Sequence, residues 1–119
     1  MTTNYTDAID QETYSLLQDL MGEEGFEEII DFFCSDTKQA VNNLRQAIND
    51  QKADFVGGVC HKLKSSSKLI GAFTMADIAT ELELYADHKN ATLASQLLDQ
   101  LETEFQRAEQ WIQSATALT

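Results

Sequence analysis

Segment 60–73 reads CHKLKSSSKLIGAF and concentrates the residues of this chain that could do chemistry. It holds His61, one of two histidines among 119 residues, together with three lysines and three serines. A histidine can pack in a core, bind a metal, act as a base or carry a phosphoryl group on a ring nitrogen. The helix that positions His61 and the residues around it discriminate between these roles.

The spacing of apolar residues places His61 on the outer face of its helix. We predict a helix over 53–70, ended by Gly71. At about 100° per residue, its apolar and small residues fall within an arc of roughly 140°, which should face the core. These residues are Phe55, Val56, Val59, Cys60, Leu63, Ser66, Ser67 and Ile70. His61 lies roughly 180° from the centre of that arc and should therefore be exposed.

Lysines surround His61 on this outer face. Lys64 is one turn ahead, Lys68 is two turns ahead, and Lys62 lies to one side. A phosphoryl group on the imidazole would bring about two negative charges, which an ammonium group one turn away would stabilise. The alternative, a solvated helix face, explains the lysines alone but not their concentration beside the histidine.

Small residues complete the pattern. Gly57 and Gly58 precede His61 by four and three positions, and Ser65 follows it by four. Two glycines inside a helix cost it about 1–2 kcal/mol relative to alanine. The cost is understandable if another protein must approach the helix backbone closely around the imidazole. The alternative is a kink or a tight helix crossing.

Composition excludes several classes of function. Eight Lys+Arg against twenty Asp+Glu give a net charge of −12, which argues against nucleic acid and anionic membranes as partners. No apolar run reaches the roughly 18 residues of a membrane span, and no signal peptide follows Met1. We therefore expect a soluble cytoplasmic protein, in which Cys34 and Cys60 are thiols.

The whole chain is predicted to be one all-α domain, residues 1–119. With no proline and only five glycines, long helices are favoured over short strands. Three-and-four apolar spacing predicts helices over about 10–21, 24–50, 53–70, 74–87 and 91–114. Short loops favour antiparallel neighbours, so we expect an up-down four-helix bundle with an additional short N-terminal helix.

The motif around His61 resembles the signature of histidine-containing phosphotransfer (HPt) domains, which reads His-x-Leu-Lys-Gly-Ser-Ser and, a few residues later, Gly-Ala. The matching positions are His61, Leu63, Lys64, Ser66, Ser67, Gly71 and Ala72. FEEIIDFFCSDTKQAVNNLRQAIND is similar to the family's long helix before the histidine helix, and ATELELYA to its fourth-helix element, ending here in Leu82 and Glu83. The sequence departs from the family at Ser65, where glycine is usual, and at Ala79, where cysteine is common.

The resemblance implies a phosphocarrier of a two-component phosphorelay. His61 would accept a phosphoryl group from the receiver domain of a hybrid sensor histidine kinase and pass it to the receiver domain of a response regulator. The chain would need no cofactor, metal or ATP site, because Mg²⁺ is expected on the receiver. Nothing in the sequence marks a dimer interface, so a monomer is expected.

The resemblance also distributes roles among the neighbours of His61. Lys64 is expected to hold the phosphoryl oxygens, and Lys68 or Lys62 to act more weakly. Room for the receiver is expected from Gly57, Gly58 and Ser65.

Other classes fit less well. The dimerisation helix of a sensor kinase usually has an acidic residue after its histidine and a proline nearby, whereas Lys62 follows here and proline is absent. A bundle metal site would want a Glu-x-x-His pattern, but Gly58 and Tyr85 precede the histidines by three. Cys60 and His61 are adjacent and point about 100° apart, so they do not form a nucleophile–base pair. A non-phosphorylated helical adaptor remains the alternative function. Independently of the function, His88 is expected to be an exposed turn residue between the fourth and fifth helices.

Overall fold

The computed structural model describes residues 8–117, with side chains through residue 116, and all regular structure in this part of the chain is helical. The helices are α1 (Gln11–Asn49), α2 (Ala53–Ile70), α3 (Phe73–Glu83), α4 (Tyr85–His88) and α5 (Ala91–Ala117). The predicted domain of 1–119 extends past the described residues at both ends.

Four of these helices form the predicted antiparallel bundle. Helix α1 packs on α2, α2 on α3, α3 on α5, and α5 back on α1. Each long helix therefore has two neighbours and one face left for solvent. The four-residue helix α4 follows α3 after Leu84 and packs against α2. The single helix predicted over 74–87 is thus divided into α3 and α4.

The first part of α1 is set off from the rest of the helix by a kink at Gly22. Asp10 caps α1, since its carboxylate accepts a hydrogen bond from the Thr13 backbone N–H at 3.1 Å. The helix then continues to Asn49 and is interrupted only at Gly22, whose φ of 73° and ψ of 167° are not helical. The chain turns sharply at this kink, because the rings of Tyr14 and Phe26 lie 4.8 Å apart although twelve residues of straight helix would separate them by about 18 Å. The kink falls between the helices predicted over 10–21 and 24–50, and the separate short helix stays a prediction.

Gly71 fixes where α2 ends and holds the start of α1 beside it. Its φ of 91° is left-handed, which glycine adopts without strain. Its carbonyl accepts a hydrogen bond from the Asp10 N–H at 2.8 Å. A Cβ at this position would lie 2.9 Å from the Asp10 carbonyl oxygen. Glycine is thus required by both the backbone conformation and the close approach.

The core is built from the apolar stripes of the long helices. Leu44, Val56, Leu82 and Leu101 are all 3% exposed or less. At one end of the bundle Tyr14 packs edge-on against Phe26 and Trp111, with ring centroids 4.8 and 4.9 Å apart. Among the described helices, none is long and apolar enough to cross a membrane.

Candidate phosphoryl-acceptor site

Helix α2 has one buried face, and His61 lies on the opposite, exposed face. Cys60 and Leu63 are buried at 0% and 3% exposure, whereas the His61 side chain is 64% exposed. The predicted core stripe holds at Val56, Cys60, Leu63, Ser67 and Ile70. It is wrong at Phe55, which is 48% exposed because it lies at the edge of the arc in the first turn of α2.

Glu83 joins the two most prominent site residues. Its Oε2 lies 3.4 Å from His61 Nδ1, and its Oε1 lies 3.4 Å from Lys64 Nζ. The carboxylate comes from the last residue of α3, directly after the fully buried Leu82. One imidazole nitrogen is therefore turned toward a carboxylate, and Nε2 is left on the opposite side of an exposed ring.

Sequence reasoning gave Glu83 no role. The motif resemblance included it, but only the packing of α3 on α2 shows that it contacts both His61 and Lys64. Lys64 is 23% exposed along its side chain, since it is drawn toward Glu83 across the helix interface. Lys64, which is predicted to hold the phosphoryl oxygens, is thus paired with Glu83 in the unphosphorylated protein.

A groove of about 740 Å³ runs beside the imidazole, between α2 and the end of α3 with α4. The groove is lined by charged side chains around His61 and by small residues in the turn of α2 before it. The lining residues include Gly57, Gly58, His61, Lys62, Lys64 and Glu83. The groove gives a second molecule an open approach to the ring.

The two glycines of the groove have different surroundings. A Cβ at Gly57 would lie 3.3 Å from Ala86 Cβ, so this glycine lets α2 pack closely on α4. A Cβ at Gly58 would meet nothing within 4 Å. The tight helix crossing considered for both glycines accounts for Gly57 alone. Whether a partner also needs Gly57 stays a prediction.

Lys62, Lys68 and Ser65 all lie on the exposed side of α2. The Ser65 hydroxyl donates to the His61 carbonyl oxygen at 3.4 Å and adds little bulk beside the ring. Neither Lys62 nor Lys68 forms an ion pair with any residue that the structure describes. Their positive charges are therefore available to an incoming anion.

Cys60 adjoins His61 in sequence but not in chemistry. Burial and the nearby negative charge of Glu83 raise the pKa of the Cys60 thiol to about 12. The nucleophilic thiolate is therefore scarce at neutral pH.

The second histidine, His88, is exposed at the end of α4, where its Nδ1 accepts a hydrogen bond from the Asn90 N–H at 2.9 Å. Among the described residues, no group of three His, Cys, Asp or Glu side chains could hold a metal ion.

The fold and the site define a class of protein: a helical bundle that presents one histidine, flanked by cations, at an open groove. The sequence matches the Hpt domain over residues 28–111. The chain therefore belongs to the Hpt domain family, and its role is that of a phosphocarrier in phosphorelay signalling.

Solved structures agree with this assignment. Histidine-containing phosphotransfer protein B (HptB) from Pseudomonas aeruginosa PAO1 is similar with a TM-score of 0.84 and 25% identity, over 94% of this chain and 97% of that one. The histidine-containing phosphotransfer protein ZmHP2 from maize has the same fold, with a TM-score of 0.83 at 22% identity, over 94% and 91% of the two chains. A putative histidine-containing phosphotransfer protein from rice gives a TM-score of 0.81 at 19% identity, over 98% of this chain and 90% of that one. A search of curated protein sequences found no match.

Proposed function

We propose that His61 accepts a phosphoryl group from the aspartate of one receiver domain and passes it to the aspartate of another. The observation that supports this most strongly is the exposed imidazole with its Nδ1 facing Glu83. The donor is expected to be a hybrid sensor kinase and the acceptor a response regulator. Family membership supports an interaction with receiver domains of two-component systems.

The contact at Nδ1 supports Nε2 as the ring nitrogen that reacts. A carboxylate at Nδ1 favours the tautomer with the proton on that nitrogen, which leaves the lone pair on Nε2. Nε2 attacks phosphorus as the bond from phosphorus to the aspartyl oxygen breaks. The bonding electrons leave with the aspartate carboxylate, and the ring keeps its Nδ1 proton. Protonation of Nε2 removes the nucleophile, so acid should slow the transfer.

In this proposal Glu83 stabilises the phosphorylated ring, and Lys64 stabilises the phosphoryl oxygens. A ring phosphorylated on Nε2 with a proton on Nδ1 is cationic, and the Glu83 carboxylate stabilises it through a charge-assisted hydrogen bond. Lys64 neutralises Glu83 in the resting protein. Once the phosphoryl group arrives, the Lys64 ammonium can interact with its oxygens from one turn away, with Lys62 and Lys68 adding a weaker field.

The remaining chemistry is expected from the partner. Phosphoryl transfer depends chiefly on positioning and on neutralising the charge of the transferred group. A Mg²⁺ ion in the receiver would neutralise much of it. In this proposal the chain needs neither ATP nor a metal of its own, and acts as a carrier that is returned unchanged after two transfers.

The test is transfer of labelled phosphate from a phosphorylated receiver domain, in the presence of Mg²⁺. Wild type should take up label that is labile to acid and stable to alkali, as expected for a phosphohistidine. His61→Gln should take up none. His88→Gln is the matched control, because it removes the other histidine, and it should behave as wild type.

Equal labelling of wild type and His61→Gln would contradict the proposal. Absence of label from every variant, while circular dichroism shows intact helices, would instead favour a non-phosphorylated adaptor.

A further inference from the structure

Gly58 is a glycine that the fold itself does not explain. It lies inside α2 with a helical backbone, lacks the positive φ that would require glycine, and is exposed. A Cβ built there meets no atom of the described residues within 4 Å, whereas one built at Gly57 meets Ala86 at 3.3 Å. Glycine inside a helix is less stable than alanine. The described residues therefore give no reason for a bare backbone at Gly58, whereas close contact with a second molecule would give one.

The position of Gly58 relative to His61 suggests what that molecule is. Both residues line the same groove, and Gly58 precedes the histidine by three residues, close to one turn. Side chains on a helix lean toward its N-terminus, so the imidazole leans toward the turn that contains Gly58. A molecule that reaches Nε2 must also cover this turn.

We infer that Gly58 is the point where a receiver-domain loop lies directly against the backbone of α2, and that a side chain there hinders the receiver more the larger it is. The inference rests on the proposed phosphotransfer at His61. The occupant is a receiver domain because the groove is continuous with the imidazole that the receiver must reach. Gly58 is thus a specificity-determining residue, which lowers the stability of the helix and keeps the approach open.

The inference predicts that stability and transfer change in opposite directions. Gly58→Ala should raise the melting temperature by about 3 °C, since alanine favours the helix and contacts nothing. It should slow phosphoryl exchange with the receiver by about threefold, and Gly58→Leu should slow it by at least about tenfold, because misplaced reacting groups lose rate steeply. Gly57→Ala is the matched control. It should stabilise less than Gly58→Ala, because Ala86 must shift to admit its methyl group.

The experiment separates access by a protein from access by a small molecule. Wild type, Gly58→Ala, Gly58→Leu and Gly57→Ala are first phosphorylated with phosphoramidate, a small donor that needs no docking surface. Phosphorylated wild type is first tested against a purified panel of receiver domains, and the variants are then mixed with those receivers that exchange phosphate with wild type. Phosphoramidate should label all four variants alike, while transfer to the receiver should fall in the order of side-chain size at residue 58.

Three outcomes would overturn the inference. If Gly58→Leu exchanges with the receiver as fast as wild type, the bare backbone is not a contact point. If Gly58→Leu also resists phosphoramidate, the added side chain blocks the imidazole itself rather than the receiver. If wild type takes up phosphoramidate phosphate but exchanges with no receiver, the proposed function fails, and the role of Gly58 fails with it.

Discussion

Two faces of the bundle use the same types of charged residue for different purposes. On the α1–α5 face, Lys38 pairs with Glu109 at 3.2 Å, and Arg45 pairs with Asp99 at 3.1 Å and Glu102 at 3.2 Å. These cations are neutralised by the neighbouring helix. Among residues 8–116, the face that carries His61 has one lysine ion pair of this kind, between Lys64 and Glu83.

The difference between the faces lies in what is left unpaired. On α2, neither Lys62 nor Lys68 has an ion-pair partner among the described residues, and both lie on the exposed side with His61. In a chain with a net charge of −12, two lysines without an ion-pair partner thus lie on the same helix face as His61, although Asp54 and Asp87 also line the groove. An ion pair across two helices contributes to packing, whereas an unpaired cation beside a nucleophile can attract an anion.

Among the charged residues of the His61 face, the largest change is expected from Glu83→Ala. The Glu83 carboxylate faces Nδ1 at 3.4 Å, and losing a charged partner of the ring should cost about 1.5 kcal/mol, or about tenfold in rate. Phosphoryl uptake by His61 should fall by that factor in rapid-quench measurements. Glu83→Gln keeps an oxygen acceptor and should lose less. Equal rates in wild type and Glu83→Ala would show that the Nδ1 contact is incidental.

Removal of the Lys64 charge should have the next largest effect. Lys64→Ala is expected to lower the yield or shorten the lifetime of phosphorylated His61 by about threefold, because a partly exposed cation contributes a modest, screened attraction. Circular dichroism should show unchanged helicity. Lys64→Arg, which keeps the charge, is the control. An unchanged yield and lifetime in Lys64→Ala would mean that the phosphoryl oxygens find their charge elsewhere.

Removal of a cation from the opposite face should leave transfer untouched. Lys38→Ala and Arg45→Ala break surface ion pairs between α1 and α5, and each should lower the free energy of unfolding by about 0.5 kcal/mol. Urea titration measures the loss, and the receiver assay measures the transfer. A drop in transfer as large as that of Lys64→Ala would abolish the distinction between the faces.

The smallest effect is expected in the rates at which iodoacetamide modifies the two cysteine thiols. Cys60 is fully buried and its pKa is raised to about 12, so iodoacetamide at pH 8 should leave it unmodified in the folded protein. Cys34 is partly exposed, although burial and then the Glu109 charge also raise its pKa. Mass spectrometry should therefore find Cys34 modified slowly and before Cys60. Faster labelling of Cys60 would indicate that α2 does not keep this face in the core.

The exposure of His61 could be predicted from sequence because it depends only on the period of one helix. The apolar stripe of α2 sets which side is buried, and the histidine lies opposite. Its contact with Glu83 could not be predicted, since it depends on the rotation of α3 against α2. That rotation is set by packing between residues far apart in the chain.

The two glycines before His61 also show that contacts between helices cannot be predicted from the sequence pattern. Gly57 and Gly58 are equivalent in the sequence pattern, and only the position of Ala86 distinguishes a packing glycine from an unexplained one. The apolar pattern of α2 predicts that Phe55 lies in the core, because this residue continues the pattern at its N-terminal end. The first turn of a helix has fewer neighbours to cover such a residue, and its ring remains 48% exposed.

The most direct measurement is to identify the phosphorylated nitrogen by ³¹P and ¹⁵N nuclear magnetic resonance of wild type after reaction with a phosphorylated receiver. The geometry predicts a single phosphohistidine at residue 61, with phosphorus on Nε2 and the proton on Nδ1. Phosphorus on Nδ1, or on His88, would contradict the account, since the nucleophile would then not be the nitrogen turned away from Glu83.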